Sequence, residues 1–169
     1  VPTAVWKPDA TCLITGVTGK APSNGNQDFH NVTWNCPDQS ANLNMKWNGN
    51  TIGGDITVTS TGSGRWQLCA PSAGDSAFVT ILGGVIQSGG QFTSNGTGNT
   101  GTVIVIDQAG DVQVTGGNFS VSRGSQGGTG TTEWRMGGNV SITDATTQNS
   151  NAAGAAFVFA GNGEAQTLT

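Results

Sequence analysis

Phe78-Val79-Thr80-Ile81, Val85-Ile86-Gln87 and Gly89-Gly90-Gln91-Phe92 follow one another along the chain. The same three phrases return as Val103-Ile104-Val105-Ile106, Val112-Gln113-Val114 and Gly116-Gly117-Asn118-Phe119, 25 to 27 residues later. Three short strands per period is the pattern of a triangular coil, and a period of this length signals stacked solenoid units. The Gly-Gly phrase, followed by an amide and an apolar/hydroxyl alternation, recurs as Gly137-Gly138-Asn139-Val140-Ser141. A looser copy is Gly53-Gly54-Asp55-Ile56-Thr57, so successive copies stand 36, 27 and 21 residues apart. Phe157-Val158-Phe159-Ala160 lies 54 residues beyond Val103, two steps of 27, which predicts one intervening turn carrying Glu133-Trp134-Arg135-Met136.

Working outward, no 3.6-residue apolar stripe runs past two turns, and Gly and β-branched residues recur throughout. The chain therefore reads as all-β. Short strand runs bounded by Gly, Asn, Ser or Pro are predicted at 12–15, 32–36, 43–47, 55–59, 65–69, 77–82, 85–87, 91–94, 102–107, 111–114, 118–122, 133–136, 139–142 and 156–160. In stacked coils, alternate side chains point inward onto their counterparts above and below. One such ladder is predicted from Phe92, Phe119 and Val140, and another from Phe78, Val103 and Phe157. The Gly-rich segments 61–64, 95–101 and 124–131 read as loops projecting from coil corners. Residues 1–49 hold no convincing copy of the repeat and are expected to form an N-terminal cap or separate β layer, with the repeat region at 50–169. An antiparallel β-sandwich, with the Gly-Gly pairs as hairpin turns, is the alternative that period-two alternation leaves open.

Charged residues are 9% of the chain, and six basic against ten acidic residues give a net charge of -4. That balance offers no cationic stripe for phosphates, so nucleic acid is not an expected partner. No apolar window is long enough for a membrane span. The sequence predicts a soluble chain, processed or excised from something longer, with a hydroxyl- and amide-rich surface suited to the outside of a cell. Cys12, Cys36 and Cys69 form no Cys-x-x-Cys pair and His30 is the only histidine, so no metal and no cofactor are expected. Three buried thiols is the preferred reading; if a bridge forms, Cys12 with Cys36 is the expected pair.

From Gly53 to Gly163 the repeated Gly-Gly-(Gln/Asn)-(Phe/Val)-(Ser/Thr) units and the Val103-Ile104-Val105-Ile106 strand type resemble a short right-handed parallel β-helix of the pectate-lyase-like type. Among proteins with such shafts, the chain most resembles part of a bacteriophage tailspike or tail fibre. The resemblance implies a homotrimer at an extracellular or virion surface that binds cell-surface glycan, without its own enzyme motif. A typical enzymatic β-helix has far more coils than this chain can form.

Polysaccharide cleavage requires two carboxylates set about 5 to 9.5 Å apart. The candidates are Asp107, Asp111 and Glu133. Asp107 ends one predicted strand and Glu133 begins its equivalent one coil later, although an Asp beside Gln108-Ala109-Gly110 is more often a turn former. Five tryptophans with no tyrosine suit stacking on sugar rings, and Trp47, Trp66 and Trp134 are the candidate carbohydrate-binding residues. Their bland alternatives are filling of the core or of a subunit interface, or surface cation–π pairs in Arg65-Trp66 and Trp134-Arg135. Sequons occur at Asn31, Asn95, Asn118 and Asn139; the last two are expected to form amide ladders at coil corners rather than to carry glycans. Three functional readings follow: a non-enzymatic receptor-binding part of a fibre, a polysaccharide depolymerase using Asp107 and Glu133, and a bacterial adhesin or pilus subunit.

Overall fold

The structure, a computed structural model, describes residues 1–96, 100–123, 129–147, 154–161, 163 and 165–169. Among these residues the chain forms short strands and no helix: β1 (Thr11–Ile14), β2 (Asn31–Asn35), β3 (Asn42–Asn44), β4 (Asn50–Ile52), β5 (Ile56–Ser60), β6 (Arg65–Cys69), β7 (Ser76–Ile81), β8 (Val85–Gln87), β9 (Gln91–Asn95), β10 (Val103–Gln108), β11 (Val112–Val114), β12 (Gly117–Ser122), β13 (Thr131–Met136), β14 (Val140–Ile142), β15 (Ala145–Thr146) and β16 (Ala155–Phe159). The strands deal themselves in rotation to three sheets. Sheet A is β1-β2-β5-β8-β11-β14, sheet B is β3-β6-β9-β12-β15, and sheet C is β4-β7-β10-β13-β16. Every pairing between these strands is parallel. The result is a parallel β-solenoid of about 4 turns, and the sandwich alternative is excluded.

The solenoid also takes in much of residues 1–49. β1 and β2 begin sheet A and β3 begins sheet B, so the stacking starts well before the first Gly-Gly phrase. Two strands, β4 and β15, escape the sequence reading. Asn50-Thr51-Ile52 is pinched between Gly49 and Gly53 and sends one apolar side chain, Ile52, inward. The loop readings at 95–101 and 124–131 fall partly on 97–99 and 124–128, which lie outside the described residues. The Gly-rich 61–64 segment is itself the corner from β5 to β6, closed by the buried Thr61 hydroxyl on the Gly64 carbonyl at 2.9 Å.

The Gly-Gly phrases serve two different corners, which explains their uneven spacing. Gly89-Gly90 and Gly116-Gly117 turn the chain from sheet A to sheet B, with Phe92 over Phe119. Gly53-Gly54 and Gly137-Gly138 turn it from sheet C to sheet A, ahead of β5 and β14. Val140 therefore stacks beneath Val112 in sheet A, not beneath Phe119 as predicted. At the A-to-B corner Gly90 and Gly117 have φ of 72° and 82°, and a Cβ on Gly117 would strike the Gly90 carbonyl. Only glycine meets both demands cheaply.

The other corner is held by side chains. The Oδ1 atoms of Asn31, Asp55, Asp111 and Asn139 accept the backbone N–H of Asp55, Gly84, Asn139 and Thr167, each one turn farther on, at 2.7 to 2.9 Å. Asn118 works differently, donating from Nδ2 to Thr146 Oγ1 at 2.8 Å. Both asparagines thus tie one coil to the next, but through a backbone N–H and a threonine hydroxyl at two different corners, not through the expected amide ladder.

Inside the prism a column of rings runs along the axis: Trp34 on Trp66 at 4.7 Å, Trp66 on Phe92 at 4.9 Å, Phe92 on Phe119 at 6.0 Å and Phe119 on Phe157 at 5.4 Å, all stacked. In sheet A the ladder Cys12, Val32, Ile56, Val85, Val112 and Val140 is buried throughout. Each fully buried aliphatic or Phe side chain contributes about 1.5 to 3 kcal/mol, and each ring pair about 0.5 to 1.5 kcal/mol more. All three cysteines are buried free thiols.

Candidate functional site

Sheet C presents the open face. In β10 the alternation sends Ile104, Ile106 and Gln108 inward and Val103, Val105 and Asp107 outward, although Val105 is itself buried; in β13 Thr132, Trp134 and Met136 go in and Thr131, Glu133 and Arg135 go out. In-register stacking then lines up Phe78, Val105 and Glu133 in one outer row and Thr80, Asp107 and Arg135 in the next. Adjacent strands stand about 4.8 Å apart. The outward side of sheet B is different, since Gln67, Thr93, Asn95, Ser120 and Ser122 are all buried.

Arg135 organises this face. Its guanidinium lies 2.8 Å from Glu133 Oε2 and 3.6 Å from Asp107 Oδ1, and its Nε–H also donates to Glu133 Oε2 at 2.8 Å. The Glu133 hydrogen bond, with the two negative charges behind it, lifts the Arg135 pKa above its ordinary value. Stacking thus brings Asp107 and Glu133 onto one cation, a role for Arg135 that the sequence reading did not see. A glycosidase acid needs an environment that favours its protonated form; here a guanidinium stands between the two carboxylates. Asp111 accepts the Asn139 backbone N–H one coil farther on at 2.7 Å, while Asp107, read more often as a turn former, pairs with Arg135.

Beside the triplet, Thr80, Leu82, Asp107, Ala109, Arg135 and Ala160 line a shallow cleft of about 200 Å³. Phe78, placed in an interior ladder by the sequence reading, is 53% exposed on the neighbouring row, and Val103 is exposed too. The parity was legible in Ser76-Ala77-Phe78-Val79-Thr80-Ile81, where Ala77, Val79 and Ile81 mark the inward set. The register differs as well: Val103 pairs with Ser76, and Phe157 lies beside Trp134.

The three tryptophans chosen for sugar stacking are corrected by their burial, since Trp47, Trp66 and Trp134 are all 0% exposed. Trp47 donates its indole N–H to the Gly25 carbonyl at 2.8 Å. Strand alternation puts Arg65 and Arg135 on the faces opposite Trp66 and Trp134, so the two cation–π pairs do not form. Trp6, by contrast, is only partly buried.

Among the described residues no group of three or more His, Cys, Asp or Glu side chains is placed to hold a metal ion. Among the described residues no helix is long and apolar enough to cross a membrane. Comparison with protein-family models, with curated proteins and with solved structures finds no match for this chain.

Proposed function

We propose that this chain is a non-enzymatic structural and receptor-binding part of an extracellular fibre, of the kind built on pectate-lyase-like shafts in bacteriophage tailspikes, and that it contacts cell-surface polysaccharide. The contact surface is the outer face of sheet C. One observation carries this reading: the candidate acid pair is bridged by Arg135 on the same sheet face that carries the exposed ring of Phe78. An apolar ring next to fixed hydrogen-bonding groups suits a sugar, whose ring has an apolar side and a hydroxylated edge. The bridging cation disfavours acid catalysis by the same residues. Trimer formation belongs to the proposal through the architecture alone.

Sedimentation should give a homotrimer, and a glycan array should give signals that weaken in Phe78→Ser and Arg135→Ala. A monomer without any glycan signal removes the proposal. New reducing ends from a capsular or O-antigen polysaccharide, lost in Asp107→Asn, would replace it with a depolymerase.

A further inference from the structure

A second site lies at the β4 edge of sheet C, where the N-terminal segment crosses the corner between β4 and β5 and Thr51 stands in register with Thr80. Val5, Trp6, Asp28, His30, Thr51 and Gly53 line a cleft of about 450 Å³, within the roughly 300 to 1,000 Å³ typical of small-molecule sites. Its groups are fixed by bonds that reach out of the cleft. Trp6 donates its indole N–H to Gln27 Oε1 at 3.1 Å and leans on Phe29 at 5.2 Å. Asp28 Oδ1 accepts the Thr51 N–H at 2.9 Å and Asn50 Nδ2 at 3.3 Å, which leaves Oδ2 as the remaining acceptor.

The only histidine of the chain is held from two sides. Its Nδ1 accepts the backbone N–H of Asp9 at 3.3 Å, and Asp9 adopts φ of 69°, a conformation non-glycine residues rarely take. The imidazole lies against Gly53-Gly54, where a Cβ would come within 3.1 Å of Cδ2 and 2.9 Å of Nδ1. An accepting Nδ1 puts the ring proton on Nε2, a donor. Side chains fixed by bonds from outside the cleft are held ready for a ligand.

We infer that this cleft binds a neutral sugar ring, seated on Trp6 and hydrogen-bonded by His30 Nε2–H, the Asp28 carboxylate and the Thr51 hydroxyl. A donor and an acceptor set near one another match adjacent sugar hydroxyls, each of which donates and accepts. An acidic sugar meets the Asp28 carboxylate in a chain of net charge -4 and is disfavoured by repulsion; an amino sugar is the competitor that Asp28 would accept, and glucosamine in the test decides between the two. The inference rests on neither Phe78 nor the Arg135 bridge, which line no part of this cleft.

The test is saturation-transfer NMR of the intact chain with glucose, galactose, mannose, rhamnose and N-acetylglucosamine, against glucuronate and glucosamine. At least one neutral sugar should show transfer and an intermolecular NOE to the Trp6 ring. Trp6→Ala should weaken binding by about tenfold or more; Thr51→Val, which keeps the backbone bond to Asp28, should weaken it severalfold; Phe78→Ser should leave it unchanged. Absence of transfer from every neutral sugar, a preference for either charged sugar, or transfer without the Trp6 NOE would overturn the site. Loss in Phe78→Ser but not in Trp6→Ala would move the sugar to the Phe78 and Arg135 part of the face and overturn it too.

Discussion

The two halves of the prism solve one packing problem with different residues. In the first half the ring column consists of Trp34 and Trp66, and Trp47 meets Trp66 edge-on at 6.0 Å. In the second half the column is Phe92 and Phe119, and Trp134 meets both edge-on, at 5.6 and 4.9 Å. Each half therefore has a stacked column buttressed by one perpendicular indole. The second half keeps a visible repeat because smaller rungs go with regular 27-residue turns, Phe92 to Phe119 and Val85 to Val112. The first half has unequal turns, and its larger rings fill the same interior. What the halves share is geometry rather than phrase.

The largest expected effect breaks the joint between them. Trp66 touches Trp34, Trp47 and Phe92, so Trp66→Ala should cost about 3 to 5 kcal/mol in denaturant unfolding. A loss under about 1 kcal/mol would mean that the halves do not lean on this rung. Next come the two corners. Gly117→Ala faces a positive φ and a carbonyl in the way, and should cost about 1 to 3 kcal/mol, whereas Gly137→Ala, with its nearest neighbour at 3.1 Å and no positive φ, should cost less. Equal losses would refute the assignment of the two phrases to different corners. Removing the side-chain tie, Asp111→Ala, should cost about 1 kcal/mol by the same measurement.

A pH scan separates the halves in another way, because all three thiols lie in the first. Burial pushes Cys69 up to about 12 from an ordinary 9.0. The folded state then keeps a proton that the unfolded chain releases, so this contribution is intact below about pH 9 and fades as pH climbs from 9 towards 12. Cys69→Ala should flatten that alkaline decline. The smallest effect belongs to the open face, where Arg135→Leu should leave the denaturant midpoint almost unchanged, because exposed ion pairs contribute little.

Much of the solenoid was legible because its period is written in the second half. Gly116-Gly117-Asn118-Phe119 repeats Gly89-Gly90-Gln91-Phe92 at the true offset, and Val112 repeats Val85. The site was half legible. Asp107 and Glu133 could be placed one coil apart by counting, but their common partner Arg135 is visible only once the strands are in register. The tryptophans misled because their abundance looks the same whether they face in or out.

By itself the sequence determined that the chain coils in three short strands per turn. A polar/apolar alternation and recurring turn glycines are local properties, carried by each segment independently of its neighbours. The tertiary structure alone decided which corner each Gly-Gly pair turns, that Phe78 faces water while Trp66 does not, and that one guanidinium joins two acids. Those outcomes depend on parity and register between segments some 20 to 30 residues apart, and a shift of a single residue exchanges inside for outside.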